Sequence, residues 1–349
     1  MGTVILVGGA LQADNQAVFA KILEHCGPRI GIFTTASSDP AQSWEVNAAL
    51  FRAQGFDPQH IGITVENAPI LAQDPAVLSQ MESCSGFFFS GGDQRQITRA
   101  LLGTPALALL ERKFAEGAGV AGSSAGTAAM ADPMIAGGQS LDTWLGEGET
   151  LSMQPGLGLV KNVQVDQHFL AWGRFGRLMR AVEQAGVGLG VGVDENTALV
   201  MPERGPWEVV GESCVVFLEH TRTGWQVSLL AQGDRYDPAQ GEFQIHPSRS
   251  PIQAPDPELK NPVSTDIFAP YALLRTLTRL VQSAEQTTIG LSFRASPEDG
   301  FSASGVRVRF FKTSQTKGYR GSSTPRERFS VVRVGLALEA IRVQVEPEV

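Results

Sequence analysis

Gly122-Ser123-Ser124-Ala125-Gly126 closes a short apolar run, Ala118-Gly119-Val120-Ala121, and opens a helix-forming stretch, Thr127-Ala128-Ala129-Met130. Strand, G-x-S-x-G, helix is the context of a nucleophile elbow. The two glycines allow a turn tight enough to hold Ser124 in a strained, exposed position where a bulky neighbour clashes. The helix that follows aims free N–H groups and the positive end of its dipole at any oxyanion formed there. Most Gly/Ser-rich turns are only turns, so the reading depends on what the rest of the chain brings to the same place.

Working outward, residues 4–7 form an apolar strand that ends in Gly8-Gly9, and residues 29–33 form one that exits through the polar stretch 34–38. Residues 61–65 read as a third strand, and 86–89 as a fourth that runs into Ser90-Gly91-Gly92-Asp93-Gln94. Between them the 3.6-residue periodicity predicts helices over 14–26, from 40 to about 54, 75–81 and 104–116. Strands apolar throughout, alternating with amphipathic helices, predict an α/β fold: a mostly parallel sheet with helices on both faces. Ligands of such sheets bind beyond the carboxyl ends of the strands. Gly8-Gly9, 34–38, 90–94 and the elbow all fall there.

Further along, 163–165 and the glycine-rich 189–193 read as buried strands, separated by the polar cluster 166–168 and a basic helix from about 169 to 184. The pattern then turns β-rich: 207–219 and 225–230 look antiparallel, 271–281 is helical, and 287–293, 306–311 and 331–345 alternate as strands do. The stretch 247–262, rich in Pro and polar residues, reads as a linker. It divides a catalytic α/β domain, 1–246, from a strand-rich C-terminal appendage, 263–349.

The chain has 349 residues and a net charge of -8, which argues against nucleic acid as a partner, since phosphate binding needs a basic face. The balance is uneven: nine Lys/Arg against four Asp/Glu from Phe301 onward leave that tail about +5 and the remainder about -13. Hydrophobic and charged contents of 42% and 18% describe an ordinary soluble globular protein. No apolar run reaches the length of a membrane helix, and Met1 to Val7 reads as a first strand rather than a leader, so a cytoplasmic protein is expected. Cys26, Cys84 and Cys214 are scattered without metal or redox spacing and read as buried free thiols.

A serine hydroxyl needs a base, and the base an orienting carboxylate. Of five histidines, His25, His60, His220 and His246 sit where surface or capping roles suffice. His168 alone follows an apolar strand of the α/β region inside a dense polar cluster, which favours it as general base over a merely hydrogen-bonded core histidine. Asp194 and Glu195 both leave the strand 189–193. Adjacent residues there point to opposite faces, so only one of the two reaches His168.

Four motifs now stand in order: Gly91-Gly92-Asp93-Gln94, Ala121 to Gly126, Asp166-Gln167-His168-Phe169 and Gly192 to Ala198. Together they resemble the cyanophycinases, serine peptidases related to α-aspartyl dipeptidase, over residues 4–237. The resemblance implies a sheet like that of class I glutamine amidotransferases, no cofactor and no metal. It implies that Ser124 is the nucleophile, His168 its base and Glu195 the acid, with the N–H groups of Gly92 and Ala125 as oxyanion hole. Gln94, Asp166, Gln167, Trp172, Arg174 and Arg177 match positions that line the substrate pocket. Arg174 and Arg177, three apart on one helix face, suit the holding of carboxylates. The chain departs from the pattern at Trp172, where the family carries Arg, and at Ser123 and Thr127 beside the elbow.

The expected activity is therefore that of a serine exopeptidase or isopeptidase cleaving aspartyl or β-aspartyl bonds of an acidic peptide through an acyl-enzyme. The alternatives are an α-aspartyl dipeptidase and a non-catalytic binding protein on the same fold. The related enzymes imply a homodimer that uses neither nucleic acid nor membrane.

Overall fold

Strands whose side chains are buried on both sides need cover on both faces, and the chain supplies it in two different ways. The computed structural model describes residues 1–253, 255–295, 302–321 and 328–344. In it Val4–Val7, Gly119–Ser123, Gly86–Phe89, Arg29–Phe33 and Asp57–Ile61 lie side by side in that order, all parallel. Beyond Val4–Val7 the same sheet continues antiparallel through Thr197–Met201, Trp207–Gly211, Arg235–Asp237 and Glu242–Gln244. One face packs on helices Gln16–Cys26 and Pro40–Ala53, whose Val18, Phe19, Ile22 and Phe51 meet Ile5, Val7 and Ile32. The N-caps Asn15 and Asp39 start those helices by accepting the N–H groups of Val18 and Gln42.

The opposite face has mixed cover. Helices Pro75–Ser83, Gln94–Leu101 and Pro105–Ala115 bury Met81, Ile97 and Leu110 against Phe33, Phe87 and Phe89. The rest of that face meets a second sheet, with Val191, Val193, Val215 and Phe217 in the same core as Leu6, Leu199 and Val209. The second sheet runs Arg249–Pro251, Lys317–Gly321, Phe329–Gln344, Gly224–Ala231, Cys214–Thr221, Leu189–Val193, Gln164–Asp166. Ser302–Phe311 pairs with the later part of Phe329–Gln344, and Thr287–Ala295 pairs with Ser302–Phe311. The outer face of this sheet is sealed by helices Phe175–Ala185 and Ala272–Gln282, whose Leu178, Val182, Leu273 and Leu277 cover Val216, Leu218 and Val227.

The expected α/β class holds, with a sheet that is mixed and mainly parallel and a strand-rich second sheet. Several local expectations shift. The strand expected at 61–65 is Asp57–Ile61, an edge strand that tolerates Pro58 and polar residues because one side needs no partner. Residues 207–219 form two strands in different sheets, parted at Gly211 with φ 115°. The 163–165 strand is Gln164–Asp166, and with Leu189–Val193 it belongs to the second sheet, not the first. Apolar periodicity reports burial between layers and is silent on which layer. The helix expected from 169 begins only at Phe175, because Gly173 turns to φ 59°. Val345 of the last expected strand, like the rest of 345–349, lies outside the described residues. Within 247–262, Arg249–Pro251 pairs with Lys317–Gly321, and residues of 1–246 and 263–349 share the second sheet. No described helix is long and apolar enough to cross a membrane.

Candidate active site

At the end of Gly119–Ser123 the chain reverses through Ser124, held at φ 54°, ψ -112°. A side chain other than glycine's resists this region by about 1–3 kcal/mol, so the surroundings must enforce it. They do. A Cβ on Gly122 would stand 2.5 Å from the backbone of Gly126, and one on Gly126 would stand 2.2 Å from the carbonyl of Phe89. The Ser124 N–H donates to the Val7 carbonyl at 3.0 Å, and Thr127 Oγ1 lies 2.6 Å from the carbonyls of both Val7 and Gly122. The one-turn helix Ala125–Ala128 follows directly.

His168 arrives from the second sheet, just beyond Gln164–Asp166, itself at φ 46°. Its N–H donates to the Gly8 carbonyl at 2.8 Å. Its Nε2 lies 2.9 Å from Ser124 Oγ, and its Nδ1 lies 2.6 Å from Glu195 Oε1. Carboxylates accept only, so Nδ1 carries the proton toward Glu195, and Nε2 is left to accept from the serine hydroxyl. The three groups do not share one sheet edge, as the sequence suggested. Ser124 leaves the first sheet, while His168 and Glu195 leave the second, and the packing of the two sheets brings them together.

Asp194 and Glu195 divide as alternation requires. Asp194 is fully buried and accepts the N–H groups of Leu170 and Ala171 at 3.0 and 2.9 Å, as well as the Ser213 hydroxyl. Burial pushes its carboxyl pKa up, and these hydrogen bonds oppose the shift. It thus ties down the loop after His168, while Glu195 faces the imidazole. Asn196, the next residue, donates its N–H to the Gly9 carbonyl at 2.8 Å and engages the Asn15 side chain, fixing the Glu195 turn to the first helix.

Gly91 and Gly92 flank the elbow. A Cβ on Gly91 would lie 3.8 Å from Ser124 Oγ, and Gly92, at φ 140°, sits so close to Ala36 that a Cβ would collide with its carbonyl at 1.9 Å. Among the described residues, neither the Gly92 nor the Ala125 N–H donates to a protein acceptor.

The residues expected around the pocket are differently employed. Gln94 Nε2 donates to the carbonyls of Ile135 and Ala136 at 2.9 and 3.2 Å. Asp166 and Arg177 are both buried and form a two-pronged pair, Nε at 2.7 Å and Nη2 at 2.6 Å, while Arg177 Nη1 donates to the Gly138 carbonyl. The fork of Arg177 is occupied inside the protein. Arg174 precedes the helix instead of sharing a face with Arg177; its Nη1 donates to the Gln167 carbonyl at 2.7 Å, and burial lowers its pKa to about 10 against the pull of Asp166. Gln167 Oε1 is buried without a hydrogen-bond partner among the described residues. Trp172 is 55% exposed, stacks on the His168 ring with centroids 5.0 Å apart, and lies under the Arg174 guanidinium at 4.3 Å.

Gly9 is the contributor that the motifs did not assign. At φ 105° it backs the imidazole so closely that a Cβ would stand 2.3 Å from His168 Nε2. Its position at a strand end was the available signal. Gly9→Ala is expected to slow labelling of the serine by a fluorophosphonate about 100-fold, since an ångström of misplacement between reacting groups costs that much. A labelling rate equal to wild type in folded Gly9→Ala would remove Gly9 from this role. The three thiols offer no rival nucleophile: burial pushes Cys26 and Cys214 up to about 12 and Cys84 up to about 11.

A sequence profile of peptidase family S51 matches residues 4–205. The cyanophycinase of Trichormus variabilis is 35% identical over 228 residues, covering 62% of this chain and 74% of that protein. The cyanophycinase of Synechococcus elongatus is 30% identical over 223 residues, covering 62% of this chain and 68% of its own length. The crystal structure of a peptidase from an acI-B1 Actinobacterium superposes with a TM-score of 0.52 at 21% identity, over 68% of this chain and 97% of that one. That last likeness is one of fold.

Proposed function

From the premise that this chain belongs to peptidase family S51, we propose that it is a serine exopeptidase or isopeptidase that hydrolyses aspartyl or β-aspartyl bonds of acidic peptides. The observation that carries this reading is the unbroken line Ser124 Oγ, His168, Glu195 Oε1, with steps of 2.9 and 2.6 Å. Ser124 Oγ attacks the scissile carbonyl carbon while its proton passes to His168 Nε2. Glu195 holds Nδ1–H and stabilises the imidazolium. The oxyanion is received by the N–H groups of Gly92 and Ala125. Collapse of the tetrahedral species breaks the C–N bond, and His168 returns the proton to the departing amine. Water, deprotonated by the same imidazole, then attacks the acyl-enzyme and frees the acid and Ser124.

Recognition of an acidic side chain is assigned to Arg174, whose approach to Asp166 is looser, at 3.7 Å, than the two-pronged pair of Arg177 at 2.6 and 2.7 Å. Trp172 supplies a flat apolar surface beside His168, where the resemblance leads one to expect a further guanidinium. Loss of that cation weakens the hold on a polyaspartate chain more than on a dipeptide. Wild type is therefore expected to hydrolyse β-aspartyl dipeptides with a kcat/KM roughly tenfold above that for the polymer, and Trp172→Arg to narrow the gap. Kinetics of both proteins on β-aspartyl-X, α-aspartyl-X and polymer decide it. A wild type that already prefers polymer, with Trp172→Arg unchanged, ends the argument, and preference for α-aspartyl-X makes the chain an aspartyl dipeptidase.

A further inference from the structure

A cavity of about 540 Å³ borders Glu195 without touching Ser124, Gly91 or Gly92. Its walls come from separate parts of the chain. The turns after Leu189–Val193 and before Cys214–Thr221 contribute Glu195 and Glu212, helix Ala272–Gln282 contributes Leu274 and Arg275, and Arg328 and Phe329 close it. The last four lie beyond residues 4–205, so the cavity is built in good part by the portion of this chain outside the family match. The same portion is tied to the site: the Tyr271 N–H, one residue before the helix, donates to the Leu170 carbonyl at 2.8 Å, two residues past His168.

The chemistry of the lining is that of a zwitterion's complement. Two carboxylates, Glu195 and Glu212, and two guanidinium groups, Arg275 and Arg328, line it together, with Leu274 and Phe329 as apolar surface. Arg275 Nη1 donates to the Pro270 carbonyl at 3.0 Å, and Arg328 Nη1 to Gln232 Oε1 at 2.6 Å. A guanidinium has five N–H donors, so each keeps donors for a carboxylate. A simple anion or cation would answer only half of this lining, and a hydrocarbon none of its charges. The volume lies within the range of sites that enclose small ligands.

We propose that this cavity binds a small zwitterion, an amino acid or dipeptide with a large apolar side chain, its carboxylate at Arg275 and Arg328 and its ammonium at Glu212 and Glu195. An occupant there shares Glu195 with His168, so the site adjoins the reacting groups without being the substrate cleft. It stands independently of the proposed hydrolysis.

The test is calorimetric titration of L-leucyl-L-phenylalanine into full-length Ser124→Ala protein, which reads the cavity whether or not the chain is a peptidase. A Kd of about 1 mM or tighter is expected, weakened about tenfold or more when the dipeptide carries a C-terminal amide and again when Arg275→Glu is added. Leu274→Trp, which fills the cavity, is expected to abolish binding, with unchanged near-ultraviolet circular dichroism showing that the fold is intact. Absence of binding up to about 10 mM, or equal affinity in the protein with and without Arg275→Glu, overturns the proposal. So does loss of binding after fluorophosphonate reaction with Ser124 in otherwise wild-type protein, because that would put the dipeptide in the substrate cleft.

Discussion

Ser124→Ala is expected to lower kcat by about three orders of magnitude or more and to abolish covalent labelling by a fluorophosphonate. Of the two elbow hydroxyls, that of Ser124 is the one within hydrogen-bond reach of His168 Nε2, at 2.9 Å, and the thiols are buried and held protonated by that burial. What remains after the substitution is the catalysis of the oxyanion donors and of binding alone. His168→Ala should cost about as much, and the double variant little more, because the two act as one unit. The folded state should be indifferent to Ser124→Ala or slightly better for it, since the strained φ of 54° persists while a polar side chain is lost. Hydrolysis at the wild-type rate by purified Ser124→Ala protein would defeat the assignment.

The second large effect concerns stability. Asp166→Ala would leave the Arg177 guanidinium buried beside an empty place, with the Gly138 carbonyl as its remaining acceptor. Breaking a buried pair by removing one partner costs about 3–5 kcal/mol, far more than the pair's net worth, because the surviving charge is uncompensated. A fall in Tm of roughly 5–10 °C follows for a chain of this size. Replacing both members by apolar residues of similar volume, Asp166→Leu with Arg177→Met, should recover much of the loss. Differential scanning calorimetry of the three proteins measures this. If Asp166→Ala melts with wild type, Arg177 has another partner or an exit to water, and its availability to substrate reopens.

Much of the site could be read in the residues because its parts obey local rules. The elbow glycines are demanded by two close backbone approaches, and each leaves a mark in the sequence. The strand ends that carry Gly8-Gly9, Gly91-Gly92 and Ser124 are bounded by apolar runs with no alternative reading as surface. Less legible was anything decided by partners distant in sequence. The charges of Asp166 and Arg177 are visible in the chain, but their mutual pairing is a tertiary fact, and a cation committed indoors looks the same on paper as one facing a ligand. The strand Asp57–Ile61 was hidden because an edge position suits Pro58 and Gln59 as well as an apolar residue. The loop between His168 and Phe175 reads as helix until the left-handed turn at Gly173 is known, and a Cβ there would strike the Phe268 carbonyl at 1.8 Å, nearly a hundred residues away.

The pairing of Phe329–Gln344 with Gly224–Ala231 also fixes an order of events during synthesis. Trp225 pairs with Leu336 and Leu229 with Val331, in the same sheet whose strands deliver His168 and Glu195. A nascent chain that has emerged only as far as residue 320 holds the elbow, the histidine and the acid, yet leaves Gly224–Ala231 with an open row of N–H and C=O groups. Contacts of such long sequence separation form slowly. The three residues of the proposed triad thus emerge early and the strand that completes the sheet of His168 and Glu195 more than a hundred residues later, and through that interval the edge of Gly224–Ala231 stays open to pairing with another chain.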